Sequence, residues 1–341
     1  MDESSEIHGG LLKHLSRTHR SAELTAAVLA AIVATLFFVP GAVSASPQAP
    51  DDSTVDARRP SSVPTGLQTD LDAHWTAERM AASRPADVDE ATVGTDTGTE
   101  LDLGPARSVE PTAPEAEPGA KQPAFSYATG RLFYDDQSGE PWNCSASSIA
   151  STNQSLVLTA GHCLHDGGGT EAGWSVNVVY VPGYDEGDEP RERWNGIFSS
   201  QLVFDTWYSG GDRTRDVGMF LVEPNAIGQR LTQMTGGHGF ATGQGYDLDL
   251  HVIGYPSNLD NGEVQQHCWG PVSEGDDRVE LECGFGKGAS GGPWLKDYSA
   301  PGPGLGKANG VTSSLTNDGK WNRSPYFDDA VWNIYMEMES L

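Results

Sequence analysis

Basic residues are scarce in this chain. Twenty-one Lys and Arg stand against 48 Asp and Glu over 341 residues, a formal net charge of −27. An acidic surface repels phosphate backbones and anionic lipid, so nucleic acid and membrane surfaces are poor partners. Cysteine is scarce too, and four residues cannot staple a chain of this length by themselves. They suffice for two bridges in an oxidising compartment, or for one metal site. No C-x-x-C pair occurs, which weakens a metal site built with His162, His165 or His267. Hydrophobic residues reach only 37%, against 41 Gly and 21 Pro, a composition of many turns and little helix. The one long apolar run, Leu24 to Val39, is short for a bilayer span. No internal repeat is visible.

That run has the layout of an export signal. Lys13, Arg17 and Arg20 precede it, and Pro40, Gly41 and the small residues Ala42-Val43-Ser44-Ala45 follow it. Residues 1–45 therefore read as a signal peptide cut after Ala45, with an uncleaved anchor as the alternative. In both cases the remainder leaves the cytoplasm. Residues 46–120 change character and carry 15 acidic and 5 basic residues. Beyond Trp75 they hold little to build a core, so the stretch reads as a disordered acidic pro-segment or linker. Leu71, Trp75 and Met80 fit one short helix within it.

Residues 121–341 form the domain that can fold. Short β-rich runs (Leu132–Tyr134, Ser155–Leu158, Val176–Val181, Val217–Val222, His251–Gly254, Gly310–Thr312) alternate with glycine and proline turns, the pattern of an all-β sandwich or barrel. One helix is expected at the end, where Phe327, Val331, Ile334 and Met338 follow a helical period and Asp328 and Asp329 occupy the first turn.

Three motifs carry chemistry: Leu158-Thr159-Ala160-Gly161-His162-Cys163, Arg215-Asp216-Val217-Gly218-Met219, and Gly288-Ala289-Ser290-Gly291-Gly292-Pro293. A serine hydroxyl is a weak nucleophile and needs a base such as histidine to take its proton. A buried carboxylate fixes the tautomer of that histidine. Glycines beside the serine let backbone N–H groups turn toward a developing oxyanion. Asp216 is preferred to Asp212 because the apolar run after it draws it inward. His165, followed by Asp166 and three glycines, reads as part of a solvent loop.

In the order of these motifs the chain resembles the chymotrypsin-like serine peptidases, and among them the secreted bacterial branch that includes the glutamyl endopeptidases. The resemblance covers about residues 124–341. It implies two antiparallel β-barrels with the site between them and a C-terminal helix. It implies His162 as general base, Asp216 as its orienter, Ser290 as nucleophile, and the N–H groups of Gly288 and Ser290 as oxyanion hole. It also implies a Cys144–Cys163 bridge beside the histidine turn. Cys268 and Cys283 would make a second bridge before the nucleophile loop. The specificity pocket should have Gly284 at its base and Thr312 and Ser313 on its wall, with Ser313 bonded to Asp216. Gly284 carries no charge, which argues against a preference for Arg or Lys. Lys287, near the pocket mouth, is either a reader of acidic side chains or a solvated lysine. Ala289 stands where animal members carry aspartate, so their activation ion pair is excluded. The implied protein is a secreted, monomeric serine endopeptidase acting on proteins or peptides, without a cofactor and without stable membrane association after signal cleavage. A silent homologue acting as a binding module, and a secreted esterase with the same triad, remain the rival readings.

Overall fold

The computed structural model describes residues 56–86, 103–115, 125–300 and 303–341, apart from 65, 69 and 276. The expected signal segment lies outside them.

The first barrel is one curled sheet. From one edge it runs Ala57–Arg58, Leu202–Phe204, Gly218–Leu221, Leu156–Thr159, Pro141–Ser148, Thr129–Asp135, Val176–Pro182 and Trp194–Asn195. A bridge between Gly196 and Val222 and the bond from Ile197 N–H to the Leu221 carbonyl (2.8 Å) join its far ends. The second barrel is made of two sheets. One orders Gln266–Pro271, Asp249–Gly254, Pro293–Ser299, Leu305–Val311, Gly239–Thr242 and Arg107–Val109, and the other Ser273–Glu274, Val279–Glu282, Trp321–Ser324 and Ser314–Leu315. The chain passes directly between them at Pro271–Ser273 and Val311–Ser314, which curls them round one core of Leu250, Val252, Leu281 and Trp294. Between the named strands the pairing is antiparallel, except for Gly239–Thr242 on Leu305–Val311 and Arg84–Pro85 on Pro141–Ser148, both parallel.

Both disulfides form, Cys144–Cys163 and Cys268–Cys283. No cysteine is free, so none offers a thiolate to a metal. The final helix spans Asp329–Glu339 and buries Val331, Ile334, Tyr335 and Met338. Asp328 caps it, accepting from the N–H groups of Ala330 and Val331, and Phe327 packs just ahead of it.

The stretch expected to be disordered is largely folded where it is described. Ala57–Arg58 and Arg107–Val109 add edge strands to the two barrels. The helix expected through Leu71, Trp75 and Met80 is broken in two, Leu71–His74 and Ala77–Ala81, because Thr76 starts a new N-cap on Arg79 N–H. The reason for the order is the outer face of the first barrel. Along Thr129–Asp135 and Val176–Pro182 alternate residues point opposite ways. Leu132, Tyr134, Val178 and Tyr180 enter the barrel core, while Phe133, Val179 and Val181 face outward. Those outward side chains are covered by Trp75 and Met80, which are 0% and 3% exposed. Trp75 also donates from Nε1 to the Asn177 carbonyl (2.6 Å). Buried Asp135 holds the same segment by accepting from His74 Nε2 (2.6 Å) and Arg79 Nη2 (2.7 Å). Trp75→Ala should therefore destabilise the protein by about 3–5 kcal/mol, the range for losing a buried aromatic. Urea unfolding measures this, and a loss below about 1 kcal/mol would show that the segment is not part of the core.

His238 stands wholly buried between the barrels' strands, with Thr129 Oγ1 3.0 Å from Nε2 and Gly306 N–H donating to Nδ1 (3.3 Å). With Nδ1 accepting, Nε2 carries the proton and donates to Thr129. Burial pushes its pKa down to about 3. The folded state therefore resists a proton that the unfolded chain takes up near pH ~6.5. Its contribution is complete above that pH and is lost as pH falls toward 3. His238→Gln should flatten the decline of unfolding free energy between these limits by up to one proton. An unchanged slope in denaturant titrations at several pH values would refute this.

Candidate active site

The strand Leu156–Thr159 ends in a single tight turn, Gly161–Cys163, that carries His162. The Cys144–Cys163 bridge ties this turn to the strand Pro141–Ser148. Asp216 follows another short turn, Arg213–Arg215, and precedes the buried strand Gly218–Leu221. It is 0% exposed. Its Oδ1 accepts from His162 N–H (2.8 Å), and its Oδ2 lies 2.8 Å from His162 Nδ1 and accepts from Ser313 Oγ (2.6 Å). Burial by itself would raise the Asp216 pKa. The charge of His162 and the hydrogen bonds from the His162 ring, the Ser313 hydroxyl and the His162 backbone outweigh it and hold the carboxyl below its ordinary value. An ionised Asp216 keeps the proton on Nδ1, which leaves Nε2 as the acceptor nitrogen. That Nε2 is buried and has no hydrogen-bond partner among the described residues. Asp212 instead caps the Arg213–Arg215 turn through Thr214.

The serine loop comes from the second barrel and is held by the first. Ser145 N–H donates to the Ser290 carbonyl (2.7 Å). Ser145 Oγ donates to the Gly288 carbonyl (2.8 Å) and accepts from Tyr255 N–H (2.9 Å). Gly288 has φ +86° and Gly291 φ +79°. A Cβ on Gly291 would also collide with Thr159 Oγ1 and the Ser145 carbonyl, so only glycine lets the loop lie this close. Ala289, in place of an acid, is buried in the second core.

The remaining predicted residues differ in what they do. Gly284 has φ +65° and is fixed by Lys320 and Asn258, its N–H donating to the Lys320 carbonyl (2.9 Å) and its carbonyl accepting from Asn258 Nδ2 (3.0 Å). Thr312 is 3% exposed, and its hydroxyl accepts from Trp294 Nε1 (3.0 Å). Lys287 is exposed. His165 is not on a solvent loop: it is 0% exposed because its ring packs against Trp174 and Tyr208. Its Nδ1 accepts from Gly167 N–H (3.0 Å), and burial lowers its pKa.

Three participants escaped the sequence reading. Ser145 gave no signal beyond lying in a run of small residues after Cys144. Asn143 and Ala86 gave none. Asn143 Nδ2 donates to the Ser83 carbonyl (3.0 Å) and Ser83 Oγ (2.9 Å). Ala86 N–H donates to the Asn143 carbonyl (2.8 Å). The Ala86 carbonyl accepts from Gly288 N–H (3.0 Å) and from Ser290 Oγ (3.4 Å). Beside it a cavity of about 300 Å³ opens on the His162 side, walled by Tyr134, Trp142, Asp136, Asp166 and Ser175.

No protein-family description and no curated protein matches the chain. Solved structures do. The protease Anisep from Arthrobacter nicotinovorans is 25% identical, with a TM-score of 0.58 over 65% of this chain and 99% of its own. A thermostable serine protease, AL20, from an extremophilic microorganism is 28% identical, with a TM-score of 0.55 over 63% and 98%. A Glu endopeptidase is 16% identical, with a TM-score of 0.52 over 67% and 99%, a likeness of fold alone. The two barrels and their closing helix have the fold of the chymotrypsin-like serine proteases.

Proposed function

We propose that the protein is an exported serine endopeptidase with His162, Asp216 and Ser290 as its triad. The observation that carries the reading is the buried Asp216 carboxylate, which receives both the backbone and the ring N–H of His162 while the Ser313 hydroxyl donates to its Oδ2. This leaves Nε2 as the base. Nε2 takes the proton of Ser290 Oγ, and Oγ bonds to the substrate carbonyl carbon. The negative charge that develops on the carbonyl oxygen is held by the N–H groups of Gly288 and Ser290. His162 then gives its proton to the departing amine, and a water activated by the same nitrogen hydrolyses the acyl-enzyme. These steps use side chains and backbone only. Export is supported by the signal-like residues 1–45 and by the two formed disulfides. Among the described residues no helix is long and apolar enough to cross a membrane.

Ser290→Ala should leave a folded protein with peptidase activity lower by about 10⁴- to 10⁶-fold. Near-normal digestion of a protein substrate by this variant would end the nucleophile assignment.

For specificity, the uncharged Gly284 and the committed hydroxyl of Thr312 favour a small or apolar residue before the scissile bond. Digestion of a peptide library, read by mass spectrometry, tests this. Cleavage after glutamate that is lost in Lys287→Ala would show instead that the lysine reads the substrate.

A further inference from the structure

The geometry points to an intramolecular inhibitor: we infer that Ser83–Ala86 occupy the oxyanion hole of the same chain and hold it latent. The inference rests on the peptidase reading and adds a regulator to that site. A peptide carbonyl is the group an oxyanion hole is shaped to receive, and the Ala86 carbonyl takes the Gly288 N–H. It also takes the one proton of Ser290 Oγ. His162 Nε2, the atom that should receive that proton, has no hydrogen-bond partner among the described residues. The nucleophile is therefore turned from its base by the same oxygen that fills the hole.

The residues behind Ala86 are held along the strand Pro141–Ser148. Arg84–Pro85 pair with Trp142–Asn143, Asn143 grips Ser83, and Arg84 forms an ion pair with Glu140 (3.1 Å). Pro85 lies against Gly288, close to where a Cβ there would stand. Farther back, Trp75 anchors the segment in the apolar cover of the first barrel. A substrate carbonyl can reach Gly288 N–H only after Ala86 has left.

The test is the rate at which Ser290 of the purified full chain reacts with a fluorophosphonate. Ala86→Pro removes the N–H that Asn143 receives, and Ser83→Ala removes the hydroxyl that Asn143 grips. Neither residue acts in the proposed chemistry. Each should speed labelling about five- to tenfold, the worth of one hydrogen bond, with a thermal midpoint no more than about 2–4 °C below the parent's checking the fold. A chain cut at a protease-recognition sequence placed after Ala82, with both pieces left together so that Trp75 keeps its place, should label faster still, because Ser83–Ala86 then lose their tether to the buried anchor. Equal rates in the intact chain, both variants and the cut chain would overturn the inference while leaving the peptidase reading intact. Self-conversion of the native chain, but not of Ser290→Ala, to a fragment beginning at residue 87 would also overturn it, making Ala86 a substrate residue. Absence of labelling in every form, including the cut chain, would remove the peptidase reading and the inference with it.

Discussion

A carboxylate with no access to water has to be surrounded by donors, and Asp216 organises the molecule around that need. Leaving such a charge unpaired would cost several kcal/mol. Its donors come from the histidine turn of the first barrel and from Ser313, in the link between two strands of the second. The neighbouring Arg215 extends the arrangement, forming an ion pair with Asp328 (2.8 Å), the cap of the final helix. One buried charge thus binds both barrels and the helix to a common point. The hydrogen bonds that satisfy it are the ones that orient the imidazole, so stability and chemistry make the same demand here.

A second convergence runs along the strand Pro141–Ser148. Its residues alternate in direction. Cys144 and Ala146 enter the first core, and Cys144 ties down the histidine turn. Asn143 and Ser145 point the other way, to the Ser83–Ala86 segment and the serine loop. His162 and Ser290 stand on different barrels, yet both are positioned from neighbouring residues of one strand. Hydrogen bonds of 2.7 and 2.8 Å donated by Ser145 do for the serine loop what the disulfide does for the histidine turn.

What was legible in the sequence follows from this. His162, Asp216 and Ser290 stand in short motifs whose glycines and apolar flanks encode their own turns, so their neighbourhood could be read locally. The C-terminal helix was legible from its period. Ser145 was not, because a serine among serines looks the same whether it faces solvent or a loop more than a hundred residues away. The burial of His165 is not legible either, because it depends on Trp174 and Tyr208, which only the fold brings to it. The order within residues 56–86 is not legible in the stretch itself, which beyond Trp75 holds little to build a core of its own. The counter-signal lay elsewhere, in Val176-Asn177-Val178-Val179-Tyr180-Val181. A strand with one wet face alternates apolar and polar, whereas a nearly continuous apolar run asks for cover on both sides. Trp75 and Met80 are that cover.

The covering role explains how so slight a contact at the serine can matter. Two hydrogen bonds to a carbonyl oxygen, one of them 3.4 Å long, would make a feeble inhibitor in a free tetrapeptide. Tethered binding is different, because a short linker sets an effective concentration in the millimolar range or above without any new contact. Here the tether is itself docked, through Trp75, the Asp135 network and the pairing of Arg84–Pro85 with Trp142–Asn143. Most of the ordering cost of Ser83–Ala86 is thereby met by burial at a distance from the chemistry. The same arrangement links release to the surface it uncovers. Withdrawing the whole segment would expose Phe133, Val179, Val181, Tyr184 and Tyr255 together, a contiguous apolar face of the kind soluble monomers rarely leave open. Withdrawing only its last residues would not. The division between a buried anchor and a lightly bonded tip therefore lets the Ala86 carbonyl leave Gly288 N–H while Trp75 stays in place and the first barrel keeps its cover.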